Sequence, residues 1–377
     1  MKQNVAQMIQ KASRVVIKVG TSVLTDAKSK KLSYVKVQAI AKQVAQIHKA
    51  NRQVLVVSSG AIGAGMRSLG YKSRPHDLSK LQAASAVGQG KLMHLYESAF
   101  SHQGFHAAQI LLTRDDLHDR RRYLNAKATL STLLSAGVIP VVNENDTIST
   151  EEIRVGDNDQ LAGLVAALAE ADLLILLSDV DGFCRGGRGT ELIPVVTKVT
   201  AELERLAKGS GKATSTGGMK TKLQAAKASM ASGIPMLMAN GHKANVLSDA
   251  VLKGKWRGTL FLPSKSPLTA KGRWLALGAR VHGAIVVDTG AREALSRRGK
   301  SLLATGVTGV QGSFSKGDVV KVVDTRAQEF ARGVAGFSAS DLKKIAGKQT
   351  AEVTEILGRT VAPEVIHRDR LVILTQG

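Results

Sequence analysis

With one cysteine in 377 residues, Cys184, the chain cannot form an internal disulfide, and it fits a reducing, cytoplasmic compartment. Aromatic residues make up only 3%, too few for the stacking platforms on which single-stranded RNA is read. No apolar run is long enough to span a bilayer. Residues 1–13 lack both a continuous apolar core and a small-residue cleavage pattern, so neither membrane insertion nor a secretory signal is expected. The nine histidines are scattered and make no Cys/His cluster with metal-binding spacing. Negative charge is scarce, with 30 Asp+Glu against 53 Lys+Arg, a net +23. The excess is not a basic tail: residues 268–377 hold 17 basic and 10 acidic side chains, a net +7, which leaves +16 in front. Such a charge can draw polyphosphates or nucleic acid, but one this diffuse reads more simply as solubility.

What is present is enough chain for two or three domains and a large core, at 44% apolar residues. The front part alternates strands and helices, which predicts an α/β fold with a mainly parallel sheet. Apolar runs at 14–19, 53–57, 105–113, 137–142, 172–177, 234–239 and 259–262 read as strands, many ending in small or polar residues. Residues 1–13 read as a short amphipathic lead-in to a first domain spanning 1–264. Residues 265–280 read as a connector. Short strands at 284–288, 302–310, 319–323 and 371–375, with two short helices, predict a small mostly-β domain over 281–377.

Four stretches carry chemistry. Asn143–Asp159 (Asn-Glu-Asn-Asp-Thr-Ile-Ser-Thr-Glu-Glu-Ile-Arg-Val-Gly-Asp-Asn-Asp) is rich in acids within a basic chain. It lies between a buried strand and a helix, where open parallel sheets bind ligands. It is either a solvated loop whose Asp and Asn cap the next helix, or a pocket for a substrate with a cationic group. Lys18 ends a buried strand, where an ammonium needs an anion, and Gly20 allows backbone amides to approach phosphate. Ser59-Gly60 opens a helix. Thr216-Gly217-Gly218-Met219-Lys220-Thr221-Lys222 combines paired glycines with a helix start that favours negative charge. No G-x-x-x-x-G-K-[ST] is present, so phosphate binding would be assembled from several loops.

Five segments in order, Val16–Ser22, Ser58–Ile62, Asn143–Asp146, Val155–Asp159 and Ser215–Lys222, resemble the glutamate 5-kinase branch of the amino acid kinase family. The resemblance covers roughly 14–264, and the tail is similar to a PUA module. It implies a three-layer α/β/α sandwich, the amino acid kinase fold, with a small mostly-β PUA-like domain behind it. It further implies that ATP with Mg²⁺ phosphorylates the γ-carboxylate of L-glutamate, the first step of proline biosynthesis, with proline as feedback inhibitor. By the same resemblance Ser59, Asp146 and Asn158 hold glutamate, and Lys18 and Lys222 flank the transferring phosphoryl group. Asp159 holds both lysines. Lys18, Gly20, Ser178, Asp179 and the stretch Thr216, Gly217, Gly218, Met219, Lys220, Thr221, Lys222 bind the nucleotide. No protein ligand for the metal is implied; Mg²⁺ sits on the ATP phosphates. A homo-oligomer, dimer or tetramer, and transfer of product to glutamyl phosphate reductase are the partners it suggests.

The pattern departs after Asp179. The chain continues Val-Asp-Gly-Phe-Cys-Arg, with Phe183 and Cys184 in place of the family's leucine and tyrosine, and it lacks the Asp-Pro pair, so nucleotide specificity is the open question there. Two other readings compete. One is an RNA-binding protein acting through the tail, which leaves the motifs in 14–222 unexplained. The other is a same-fold kinase for another substrate, against which the Asn-Glu-Asn-Asp and Val-Gly-Asp-Asn-Asp pair argues.

Overall fold

The computed structural model describes residues 2–26, 28–29, 31–149, 158–185, 190–209, 218–264 and 268–374. Eight strands form one sheet: β1 (Arg14–Val19), β2 (Gln53–Ser58), β3 (Ala107–Leu112), β4 (Ile139–Glu144), β5 (Leu173–Ser178), β6 (Val195–Val196), β7 (Met236–Asn240) and β8 (Thr259–Phe261). Their order is β3-β4-β2-β1-β5-β7-β8-β6, parallel except where β8 runs against β7. Val, Ile and Leu runs such as 173–177 are buried throughout, as strands covered on both faces must be.

The helices of this unit are α1 (Lys2–Gln10), α2 (Thr21–Leu24), α3 (Tyr34–Lys49), α4 (Ala61–Met66), α5 (Leu78–Ser101), α6 (Arg114–His118), α7 (Arg120–Ser135), α8 (Asn158–Leu168), α9 (Ala201–Gly209), α10 (Met219–Ala231) and α11 (Val246–Lys253). Val15, Ile17 and Val19 join one core with Val37, Ile40 and Val44 of α3, Leu92, Tyr96 and Phe100 of α5, and Leu247 and Val251 of α11. Side chains alternate along a strand, so Val16 and Lys18 face the other way, toward the side where α8 packs on β1 and α10 packs on α8. The result is three layers with a mainly parallel sheet in the middle. Strand order reverses at β1, where β2 lies to one side and β5 to the other, opening a crevice at their carboxyl ends.

Two compact units divide the chain: residues 1–117 with 121–267, and residues 118–120 with 268–377. The second holds α12 (Ala270–Arg273), β9 (Val281–Val287), α13 (Thr289–Arg298), β10 (Leu302–Leu303), β11 (Val307–Gly312), β12 (Val319–Val323), β13 (Glu329–Val334), α14 (Ala339–Ile345), α15 (Thr350–Leu357), β14 (Glu364–Ile366) and β15 (Leu371–Ile373). Five strands pair as β11-β9-β12-β13-β15 around a core that includes Ile285, Val320, Val322 and Phe330.

Several sequence expectations change here. Residues 302–310 are not one strand: Ala304–Gly306 make a 3₁₀ turn, after which the chain leaves β14 as partner and joins β9. Gly306 packs so closely on α13 that a Cβ would stand 2.5 Å from that of Ala291. The expected connector is helical from Ala270 to Gly278, because Leu275 and Ala276 bury against Val319 and Val372. The lead-in is a folded helix whose Val5 and Ile9 enter the sheet core. Among the described residues, no helix is long and apolar enough to cross a membrane.

Candidate active site

Asp159 is the second residue of α8 and is 1% exposed. Its Oδ1 accepts from Lys18 Nζ of β1, and its Oδ2 accepts from Lys222 Nζ of α10 at 2.9 Å and from Thr221 Oγ1 at 3.1 Å. Burial alone would raise the Asp159 carboxyl, but the two ammonium groups override it and hold the group down to about 2. Two ammonium groups from β1 and α10 thus converge on one buried carboxylate, an arrangement that suits a site for an anionic ligand. Thr221 Oγ1 also reaches the Gly218 carbonyl at 2.9 Å, fixing the first turn of α10.

Next to this cluster, Asn158 Nδ2 spreads its two hydrogens over three acceptors. These are the Ser58 carbonyl at 2.6 Å, Asn143 Oδ1 at 2.9 Å and Ser59 Oγ at 3.0 Å. The ends of β2 and β4 are thereby tied to the start of α8. Asp146 lies two residues beyond β4, 8% exposed, with Oδ2 accepting from Ser85 Oγ of α5 at 2.7 Å. Burial raises its carboxyl above the usual range, while the Ser85 hydroxyl and the charge of Arg74 oppose that shift.

Gly20 donates its amide to the Leu177 carbonyl at 3.1 Å, and a Cβ there would stand 3.1 Å from that same oxygen. It lies beside Ser178, whose carbonyl accepts from Gly241 at 2.8 Å. Asp179 is exposed, Met219 half-buried and Lys220 exposed. Thr216 and Gly217, with residues 150–157 of the acidic stretch, lie outside the described residues. Phe183 is buried, its amide donating to Thr259 Oγ1 at 2.7 Å. Burial and then Asp181 push the Cys184 thiol up, away from the reactive thiolate. Among the described residues no group of three or more His, Cys, Asp or Glu is placed to hold a metal ion.

The sequence matches the family model described as Amino acid kinase family over residues 13–240 and that of the PUA domain over residues 283–357. The glutamate 5-kinase of Moorella thermoacetica is 48% identical over 370 residues, 97% of each chain. That of Geobacter sulfurreducens is 48% identical over 371 residues, covering 97% of this chain and 99% of the relative. The chain belongs to the amino acid kinase family, in its glutamate 5-kinase branch.

In this amino acid kinase, sequence pattern marks the residues that end strands and start helices and shows 78–104 as helical, but not the polar side chains by which that helix braces them. Along α5, Ser85 bonds Asp146, Gln89 Nε2 donates to the Glu144 carbonyl at 3.3 Å, and Tyr96 OH meets Ser58 Oγ at 3.0 Å. Burial raises the Tyr96 phenol far above its ordinary value, so it stays neutral. The one available signal was polar residues recurring on the buried stripe of a long helix. Asn143 and Ser58 stand in the motif segments but, as polar residues inside strands, carried no assigned role there; both meet Asn158.

Proposed function

We propose that the chain transfers the γ-phosphoryl group of ATP to the γ-carboxylate of L-glutamate, giving L-glutamyl 5-phosphate and ADP. The observation that carries this reading is the pair of lysines from β1 and α10 converging on the two oxygens of Asp159. A γ-carboxylate with pKa near 4.3 is already ionised at neutral pH and attacks phosphorus without a general base. One of its oxygens bonds to the γ-phosphorus as the bond to the β,γ-bridging oxygen breaks, and ADP leaves. The protein must align these atoms and stabilise negative charge on the phosphoryl in flight. Lys18 and Lys222 supply that charge, and Asp159 keeps both ammonium groups at one point.

Ser59, Asp146 and Asn158 hold glutamate, with Asp146 pairing the α-ammonium. Gly20, Ser178, Asp179 and residues 216–222 border the nucleotide. Ammonium and amide donors fit its phosphates, and Mg²⁺ enters with it, lowering the charge that the lysines face. Proline has the same α-ammonium and α-carboxylate, and competes at Asp146 as inhibitor. A cytoplasmic homo-oligomer that passes its labile acyl phosphate to a reductase completes the reading.

The test is ATP-dependent hydroxamate formation with L-glutamate, against aspartate and N-acetylglutamate as controls. Glutamate should be strongly preferred, and Lys18→Ala or Lys222→Ala should lower kcat by about 10²–10³ with a smaller change in KM. Near-normal turnover in either variant would remove the lysine clamp.

A further inference from the structure

The residues assigned to the amino-acid substrate lack a group that it needs. An α-amino acid presents an ammonium and a carboxylate on one carbon, and none of Ser59, Asp146 and Asn158 supplies a cation for the carboxylate. Arg74 is such a cation. It and Asp146 act on each other electrostatically, yet no ion pair closes between them, and Arg74 Nη2 is buried without a hydrogen-bond partner among the described residues. One turn along α5 from Ser85, Gln89 Oε1 is also buried without a partner. A buried donor and a buried acceptor left unpaired both carry a desolvation cost, which a ligand with the opposite groups removes.

The segment bearing Arg74 is fixed at both ends. The Tyr71 amide donates to the Met66 carbonyl at 2.9 Å, and the Tyr71 ring packs against Ile62, Leu81 and Ala84. Asp77 caps α5, accepting from the Ser79 amide at 2.8 Å. Pro75 restricts the backbone of Arg74 to extended conformations, so the guanidinium is presented from a constrained position.

We propose that Arg74 binds the α-carboxylate of the amino-acid substrate while Asp146 binds its α-ammonium, so that the two side chains together recognise the zwitterionic head group. This rests on the glutamate reading above. A guanidinium whose Nη2 is buried without a partner and a carboxylate held by Ser85 alone among the described residues, with no ion pair between them, are complementary to that head group, and a planar guanidinium can take a carboxylate through two parallel hydrogen bonds.

The experiment compares L-glutamate with L-isoglutamine, which keeps the γ-carboxylate but carries an α-carboxamide. The full-length protein should favour glutamate in kcat/KM by about 100-fold or more. Arg74→Ala should raise KM for glutamate by about 100-fold, leave KM for ATP within about twofold and shrink the preference to within about fivefold. Arg74→Lys should recover part of the loss, and melting curves should show all variants folded. Should Arg74→Ala fail to fold, Arg74→Gln is read in the same way. An unchanged KM for glutamate, an undiminished preference, or a parallel rise in KM for ATP overturns the assignment while leaving the glutamate reading standing, because wild-type turnover carries that one separately. No glutamate turnover in the wild type overturns both.

Discussion

Without the Asp159 carboxylate, two buried ammonium groups would face each other across the end of β1. Asp159→Asn should therefore cost stability as well as rate. Removing one partner of a buried ion pair destabilises by about 3–5 kcal/mol, and urea unfolding should show a loss of that order alongside a kcat lowered by about 100-fold or more. The same carboxyl sets an acid limit. Its folded value of about 2 lies below the ordinary 3.8, so its contribution is complete above pH 4 and is lost as pH falls toward 2. That difference is on the order of 2 kcal/mol, and Asp159→Asn should flatten the stability profile between those limits. Asp146 has the opposite sign. Burial raises its carboxyl, so the ionised form weakens the ligand-free fold as pH rises through that value. Asp146→Asn keeps a partner for Ser85 and should raise the melting temperature of the ligand-free protein at neutral pH. It should also raise KM for glutamate by about 100-fold. A lower melting temperature would show that Asp146 is not strained by burial.

At the scale of elements, the site depends on how closely α4 approaches α5. A Cβ on Gly65 would lie 1.8 Å from the Ala84 carbonyl oxygen, and one on Gly88 would lie 1.7 Å from that of Ala61. Gly60, with φ of +109°, turns the chain from β2 into α4 and places Ser59 against Asn158. Gly88→Ala should push the two helices apart, destabilising by about 1–3 kcal/mol and raising KM for glutamate, while Gly163→Ala should be tolerated. At Gly163 the nearest atom, the Ala225 carbonyl oxygen, is 3.4 Å away, an ordinary contact, so the pair of melting curves isolates the α4–α5 crossing. Such contacts explain what could be read in advance. Continuous apolar runs announce β1, β2, β4 and β5, and the polar residues at their ends locate Lys18, Ser59, Asp146 and Ser178. The tight glycines in α4 and α5 look like any small residues, because the carbonyls they touch lie 19 and 27 residues away. β13 is only six residues long and α15 is mostly exposed, so their periodicity is too weak to stand out. Arg74 carries no pattern at all: only the buried Nη2 of its guanidinium, unpartnered among the described residues, sets it apart from other arginines.

For the whole molecule, the separation of cores decides what the C-terminal unit can contribute. Every residue assigned to the site lies between 18 and 222, within the unit formed by residues 1–117 and 121–267. That unit has its own core around β1, β2 and β5, and the second unit closes another around Ile285, Val320 and Phe330. Few aromatic residues and a net charge of only +7 in residues 268–377 favour a structural or regulatory role over sequence-specific RNA recognition. A chain ending at residue 267 should therefore fold, and should retain glutamate- and ATP-dependent turnover with kcat within about fivefold of the full chain. Its response to proline and its state of assembly are the properties expected to change. Calorimetry of the full chain should resolve two transitions, one of which the shortened chain lacks. A shortened chain that melts cooperatively yet loses turnover by more than about 100-fold would mean that the second unit takes part in catalysis itself, and the lysine pair at Asp159 would then be an incomplete active site.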